Sequence, residues 1–333
     1  MTVDLNQYRA ADATIAWIDR SDRARLDVSG PDAAKFLNNL TTNDIKRLPA
    51  DRGCEAFITS PQGKTLAYVS IIVRPGSILV RADAGGLEKA LPHLQKYGIF
   101  DDVAIDDVSD ATLEYHIVGP DAAAWLESRG ASLPGPEDLS AVATHLEGVG
   151  VLCVRESPTG RPGFTLVAKT DEGRPLGEML RSAGLTELNS DTFETLRIEA
   201  GTPVFGREVD EKNLPQEIDR DSRTISFVKG CYLGQETVAR LDALGHVNKI
   251  LRGLRFHPGE PIPSPGTPLA ADGKTVGSVA SSAYSPGWEA GVGLAIVRVA
   301  QAAAGSALTW TRNDDGATFK AEVAELPLIP SRR

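Results

Sequence analysis

Residues 227–240 read FVKGCYLGQETVAR and set one cysteine, Cys231, between two glycines and two cations. A thiol does chemistry as the thiolate, so the surroundings that would favour an anion decide what this one is for. TISFV, just before, predicts a strand. GQETVARLDAL predicts a helix with Val238 and Leu241 facing inward. Cys231 then falls near a strand-to-helix turn, where Gly230 and Gly234 permit tight or positive-φ backbone. The first N–H groups of that helix favour an anion, as do Lys229 and Arg240 if they fold back. The competing reading is a small apolar residue buried in a turn. No histidine stands inside the segment; His246, fifteen residues on, is the nearest. Catalysis of the cysteine-protease type is therefore not expected.

Two further stretches have chemical character. LRIEAGTPVFGREVDEKNLPQEIDRD (196–221) is dense in ions, and its glycines and prolines forbid one continuous helix. It can present Glu199 or Glu217 to a heterocycle, because a carboxylate accepts two N–H bonds side by side. Standing alone, the segment is better read as a solvated, salt-bridged loop. In NNLTTNDIKRL (38–48) Asp44 is either functional or the cap of the next turn. His93, His116, His145 and His257 form no constellation and are given no role.

These residues must be positioned by a chain of 333 residues, which is long for one core and predicts two or three domains. With 41% hydrophobic and 24% charged residues it has the composition of a soluble globular protein. A net charge of −10 speaks against coating nucleic acid or anionic membrane. The N-terminal twenty residues carry acids and no apolar run, so they do not read as a signal peptide. No stretch is long and apolar enough to cross a bilayer. Cys54, Cys153 and Cys231 are scattered, without a CxxC or a His/Cys cluster. That fits a reducing, cytoplasmic compartment and predicts no metal site built by this chain alone.

An internal repeat organises the first part. VSGPDAAKFL (28–37) returns as IVGPDAAAWL (117–126), each copy after a strand-like run and each opening a helix with Pro31 or Pro120 beside an aspartate. A second match follows in the same order: residues 78–99, with Leu87, Ala90, Leu91 and Leu94 on one face, and residues 165–185, with Leu176, Met179, Leu180 and Ala183. The expectation is two related α/β lobes, roughly 1–110 and 111–245. From about residue 246 to 333, short β-prone runs between Gly, Pro and Asp turns predict a small antiparallel barrel, with 257–268 a semi-rigid proline-rich loop.

KGCYLGQE, with GPDAAKFLNNLTTNDI, RIEAGTPVFGRE and GKTVGSVASSAYSP in that order, resembles the YgfZ-type folate-binding proteins, relatives of the aminomethyltransferase (T-protein) of the glycine cleavage system. The resemblance spans essentially the whole chain. It implies an α+β, three-lobed T-protein-like fold: two related interleaved α/β lobes of ferredoxin-like character and a C-terminal antiparallel β-barrel. It implies tetrahydrofolate or a folate derivative in a central channel, with Cys231 a reactive thiol facing it. Lys229, Gly230, Tyr232, Gly234, Gln235, Glu236 and Arg240 complete the motif. By the same resemblance Glu199 grips the pterin, Arg197, Arg207 and Arg223 are partners for the glutamate tail on charge alone, and Asp44 belongs to the folate site.

The implied function is an accessory one, supporting iron–sulfur cluster assembly or repair in client proteins, among them radical enzymes that modify tRNA. Its partners are folate and those clients, with no stable nucleic acid and no membrane. The alternative is a folate-dependent aminomethyltransferase or demethylase handling one-carbon units. One departure bears on the choice. Where the aminomethyltransferases carry an acidic pair after the glycine of SPQGKTLAYV, this chain has Ala67 and Tyr68, which supply no carboxylate.

Overall fold

The computed structural model describes residues 2–245 and 247–330; His246 lies outside them. The first lobe is a five-stranded antiparallel sheet in the order Gly53–Thr59, Thr65–Arg74, Ser77–Ala82, Ala24–Ser29, Ala104–Asp107. Helices Ala33–Leu40 and Ala90–Tyr97 bury Phe36, Leu37, Leu40, Ala90 and Leu94 against it. The second lobe is a six-stranded sheet in the order Thr186–Glu187, Ala16–Asp19, Thr112–Val118, Gly163–Lys169, Val149–Arg155, Ala141–Leu146. Helices Ala122–Ser128 and Thr170–Ser182 cover it through Leu126, Leu176 and Leu180.

The repeat is therefore structural, and its two copies are interleaved by an exchange of strands. Ala16–Asp19 runs directly into the first lobe's Ala24–Ser29 yet pairs with Thr112–Val118 of the second. Ala104–Asp107 precedes Thr112–Val118 yet pairs back with Ala24–Ser29. Each crossing is accommodated by one glycine of the repeated GPDAA motif. Gly30 (φ +108°) and Gly119 (φ +126°) both lie where an added Cβ would come within 2.3 Å of a carbonyl oxygen, that of Asp102 and that of Thr14. Those two carbonyls belong to the residues just before the exchanged strands. The guanidinium of Arg25, fully buried, ties the crossings together by donating to the carbonyls of Ser21, Ser109 and Thr112.

Strands Lys249–Phe256, Pro268–Ala271, Lys274–Ser285, Ala290–Arg298, Ala307–Thr311 and Thr318–Ala324 close into a six-stranded antiparallel barrel. Leu254, Phe256, Leu269, Val297, Trp310 and Val323 fill it. After the last strand the chain turns back over the other lobes. Four glycines make room for it: an added Cβ on Gly160, Gly201, Gly253 or Gly287 would lie within 3.0 Å of Ile329, Leu326, Leu328 or Pro330 respectively. Leu328 also donates its N–H to the carbonyl of Glu199 and accepts from the indole of Trp288.

The predicted strand at TISFV is absent. Thr224 ends the short helix Asp221–Thr224, and the run continues as coil and turn. Only Ile225 of the apolar trio is buried; Phe227 and Val228 face solvent. The backbone here pairs with no sheet edge. It is held instead by the N–H of Ser226 on the carbonyl of Thr42.

Candidate functional site

A cavity of about 880 Å³ opens where the lobes meet. The first lobe lends it Glu55, Tyr68 and Ser70; the strand crossing lends Arg20 and Arg23; the second lobe lends Arg155 and Glu156. Helix Ser190–Ala200 contributes Phe193 and Arg197, the connection to the motif Arg220 and Arg223, and the barrel Arg252. The returning tail forms a wall with Leu326, Pro327 and Ile329. A volume of this size suits a ligand of cofactor dimensions.

Glu55 and Tyr68 occupy one patch of wall. Their strands are neighbours in register, Phe57 opposite Tyr68. The phenol of Tyr68 donates to Glu55 Oε2 at 2.5 Å, and Arg220 (2.9 Å) and Arg223 (2.6 Å) both reach Oε1. Burial alone would raise the Glu55 pKa, but the two guanidinium groups outweigh it and hold the carboxyl at about 2. Glu55 is thus a fixed anion at neutral pH, with no proton to give or take. Of the Ala–Tyr pair, only Tyr68 lines the cavity, whereas Ala67 is fully buried in the first lobe's core. The sequence showed that a carboxylate was missing from these two positions. That the adjacent strand supplies one was not legible, because strand register is set by the fold.

Elsewhere in the cavity Arg20 lies over the ring of Phe193 at 4.5 Å and bonds Asp83 at 2.5 Å. Two buried wall atoms, Arg23 Nε and Ser70 Oγ, have no hydrogen-bond partner among the described residues. Unmet polar groups beside aromatic surface are what a polar heterocycle would satisfy.

The motif cysteine is elsewhere. Cys231 is exposed and lines a separate depression of about 410 Å³ with Phe36, Leu40, Tyr97 and Leu233. It is not among the residues lining the central cavity, so a thiol facing the channel, as the resemblance implies, is not what the structure places there. The cause is local. Lys229 turns inward and donates to the carbonyls of Asn38, Thr41 and Asn43, pinning the segment to the far side of the first lobe. Its own pKa is pushed down to about 8, chiefly by burial. Arg240 does not fold back to the thiol; it pairs with Glu236 on the exposed side of helix Gln235–Leu244.

The other motif residues shape the turn around Cys231. Gly234 (φ +85°) packs its Cα side against Gly63 and the carbonyl of Ser60, where an added Cβ would sit 2.5 Å from the oxygen. Gln235 Oε1 accepts from the N–H of Tyr232, whose side chain is buried with Ile225 and Val238. At Gly230 an added Cβ would meet open space.

The residues assigned to folate by resemblance fall into three groups. Arg197 and Arg223 line the cavity, but carboxylates already hold them: Glu194 and Glu208 for Arg197, Glu55 and Asp138 for Arg223. Arg207 lies outside the lining and pairs with Glu194. Glu199 is fully buried and saturated by Tyr8 (2.9 Å), Ser285 (2.6 Å) and Arg161 (2.7 Å), which joins the N-terminal helix, the second lobe and the barrel. Burial pushes its carboxyl up, against the pull of Arg161. A carboxylate so occupied has nothing left for a pterin; its neighbours Ala200 and Gly201 line the cavity instead. Asp44 accepts from the N–H of Arg47 and caps its turn, and Glu217 accepts from Asn213 and Leu214 in the same fashion. Among the described residues no group of three or more His, Cys, Asp or Glu is placed to hold a metal ion, and no helix is long and apolar enough to cross a membrane.

Residues 4–227 match the GCVT N-terminal domain, and residues 249–329 match the glycine cleavage T-protein C-terminal barrel domain. The chain belongs to the glycine cleavage T-protein family. Members of this folate-utilising aminomethyltransferase superfamily include an aminomethyltransferase of Rubrobacter xylanophilus, 29% identical over 297 residues, covering 87% of this chain and 78% of that protein. A putative chloroplastic transferase of Arabidopsis thaliana is 27% identical over 323 residues, covering 96% and 72%. The crystal structure of the glycine cleavage system aminomethyltransferase T from Bartonella henselae superposes with a TM-score of 0.88 over 98% of this chain and 90% of that one, at 20% identity. That establishes the T-protein-like fold, with its mixed α/β lobes and closed C-terminal barrel.

Proposed function

We propose that the central cavity binds tetrahydrofolate or a one-carbon derivative of it, and that the chain handles one-carbon units in the manner of an aminomethyltransferase or demethylase. The supporting observation is the cavity itself, walled by all three lobes of a folate-utilising family fold and carrying unmet polar groups beside Tyr68 and Phe193. Bound tetrahydrofolate supplies the amine nitrogens that carry a one-carbon unit. The chain's residues would offer two aromatic surfaces, hydrogen bonds from Arg23 Nε and with Ser70 Oγ, and walls that exclude water. Glu55, always charged, would stabilise positive charge developing near it rather than move a proton. That is the role left to a carboxylate whose pKa lies far below the working pH.

A second reading is favoured by Cys231. An exposed thiol in KGCYLGQE, outside the folate cavity, is reachable by another protein. It suits an accessory role in which the folate-binding chain supports assembly or repair of iron–sulfur clients, including radical tRNA-modifying enzymes. One thiolate is one ligand, so any cluster contact would draw its other ligands from the client.

Calorimetric titration with tetrahydrofolate tests the shared premise: saturable binding that Tyr68→Ala weakens sustains it, and no binding removes it. Complementation of a deletion strain with wild type and Cys231→Ala separates the two uses. Glycine cleavage or demethylation restored by both proteins supports the transferase. A radical tRNA-modifying activity restored by wild type alone supports the accessory role.

A further inference from the structure

Four of the seven large apolar side chains exposed among the described residues stand beside the Cys231 depression: Ile99, Phe100, Phe227 and Val228. Phe100 is 97% exposed and Val228 80%. Ile99 and Phe100 lie between Tyr97 and Asp101, which both line the depression. Their turn rests on a third lining residue, since an added Cβ at Gly98 would meet the Phe36 ring at 3.4 Å. Phe227 and Val228 lead into Lys229, which is pinned to the carbonyls of Asn38 and Thr41 on either side of the lining pair Asn39 and Leu40. Cys231 thus lines an apolar hollow whose two approaches are apolar as well. None of the four side chains belongs to a hydrophobic cluster of the described residues. Apolar surface gathered in water, around a formed hollow, marks a face that another molecule covers.

The charges around the hollow decide which kind of molecule. Asp32 and Asp101 share a single lysine, Lys35. Asp102, Asp106 and Asp107 follow Phe100, in a turn and on the edge strand Ala104–Asp107; all three are exposed and make no ion pair among the described residues. Of the nearby cations, Arg240 is paired with Glu236 and Lys229 is spent on carbonyls, which leaves Lys96 over the ring of Tyr97. Negative charge is in excess. Such a rim repels an anionic bilayer, and it repels a second copy of this chain, whose rim and net charge of −10 have the same sign. It attracts basic residues that surround an apolar side chain.

We propose that this face is the docking surface for a protein partner. The partner seats an apolar side chain in the hollow, sets basic residues against the acidic rim, and so brings one of its own sulfur atoms to Cys231. That the partner carries the sulfur rests on the accessory reading above; the surface itself does not.

The test uses synthetic peptides, each carrying one cysteine as a mixed disulfide with thionitrobenzoate. The Cys231 thiolate attacks the peptide sulfur, the new disulfide joins peptide to protein, and thionitrobenzoate leaves as a coloured thiolate. One peptide has Leu and Phe beside its cysteine and lysines outside them. A second has glutamates for the lysines, and a third has serines for the Leu and Phe. Wild type is expected to react with the first about tenfold or more faster than with the others, at a rate that saturates with peptide and falls as salt is raised. Phe100→Ser combined with Val228→Ser should lose that advantage. The double variant should still react like wild type with the mixed disulfide of 2-mercaptoethanol, which reports an intact fold and thiol.

Equal rates for the three peptides overturn the proposal, and so does an advantage that the double variant keeps. A wild-type dimer that the double variant disperses also overturns it, because a second copy then covers the face. Binding to phosphatidylcholine–phosphatidylglycerol vesicles that the double variant loses does the same. Complementation separates the surface from its use. If the double variant restores the radical tRNA-modifying activity as fully as wild type while Cys231→Ala does not, the docking surface falls and the accessory role stands. If the peptide selectivity is found and Cys231→Ala restores that activity, the surface stands and the accessory role falls.

Discussion

Glu55 sits between two guanidinium groups and a phenol, and its folded-state pKa near 2 links the cavity wall to stability. A carboxyl with a lowered folded pKa stabilises the fold above its unfolded value of about 4.5, and the contribution is lost as pH falls towards 2. The contribution at neutral pH is about 3 kcal/mol. Glu55→Gln should therefore lower stability at pH 7 by about that amount and flatten the acid limb of the pH–stability curve between about pH 4.5 and 2. Denaturant unfolding across that range checks it, and an unchanged acid limb would refute the assignment.

The three thiols make a second contrast at the same scale. Burial pushes Cys54 and Cys153 up to about 12, while Cys231 is exposed. Native protein should react rapidly with one equivalent of a disulfide reagent, and Cys231→Ser with none. A second fast thiol in the wild type would show that the lobes open more readily than their packing indicates.

At the scale of elements, the repeated GPDAA motif does more than start helices. Its glycines let each lobe accept a strand from the other's side of the chain. Gly30→Ala and Gly119→Ala should each cost roughly 2–4 kcal/mol, since both place a Cβ against a carbonyl at positive φ. Equilibrium unfolding decides, and a cost within experimental error for either would mean that the crossing can shift to accommodate a side chain.

Much of this level was legible beforehand: the apolar faces of the helices, the repeat, the barrel strands between their turns. Local periodicity carries those signals. The strand at TISFV was misread because β-prone residues announce a propensity and not a vacant sheet edge. Cys231 was placed in the channel for a related reason. A motif string shows which residues cluster along the chain, whereas the side they face depended on Lys229 reaching carbonyls some 190 residues earlier.

For the whole molecule, the joints between lobes are polar where Glu199 meets Tyr8, Arg161 and Ser285, and apolar where the tail lies. Leu328 is almost wholly buried in a cluster shared by Phe57, Ile198, Leu251 and Leu294, so it touches more than one lobe. Leu328→Ala should cost about 2–4 kcal/mol and expose cleavage sites near the barrel boundary. Limited proteolysis alongside denaturant unfolding tests this; a variant as resistant and as stable as wild type would mean that the tail adds little to the joint.

The tail has a consequence in time as well as in space. Residues 325–330 follow every strand and helix described here in the order of synthesis. A chain still emerging from the ribosome can fold its lobes one after another, but it cannot complete the cavity until residues 325–330 arrive. The cavity is therefore closed only after every strand and helix that forms its other walls has been made.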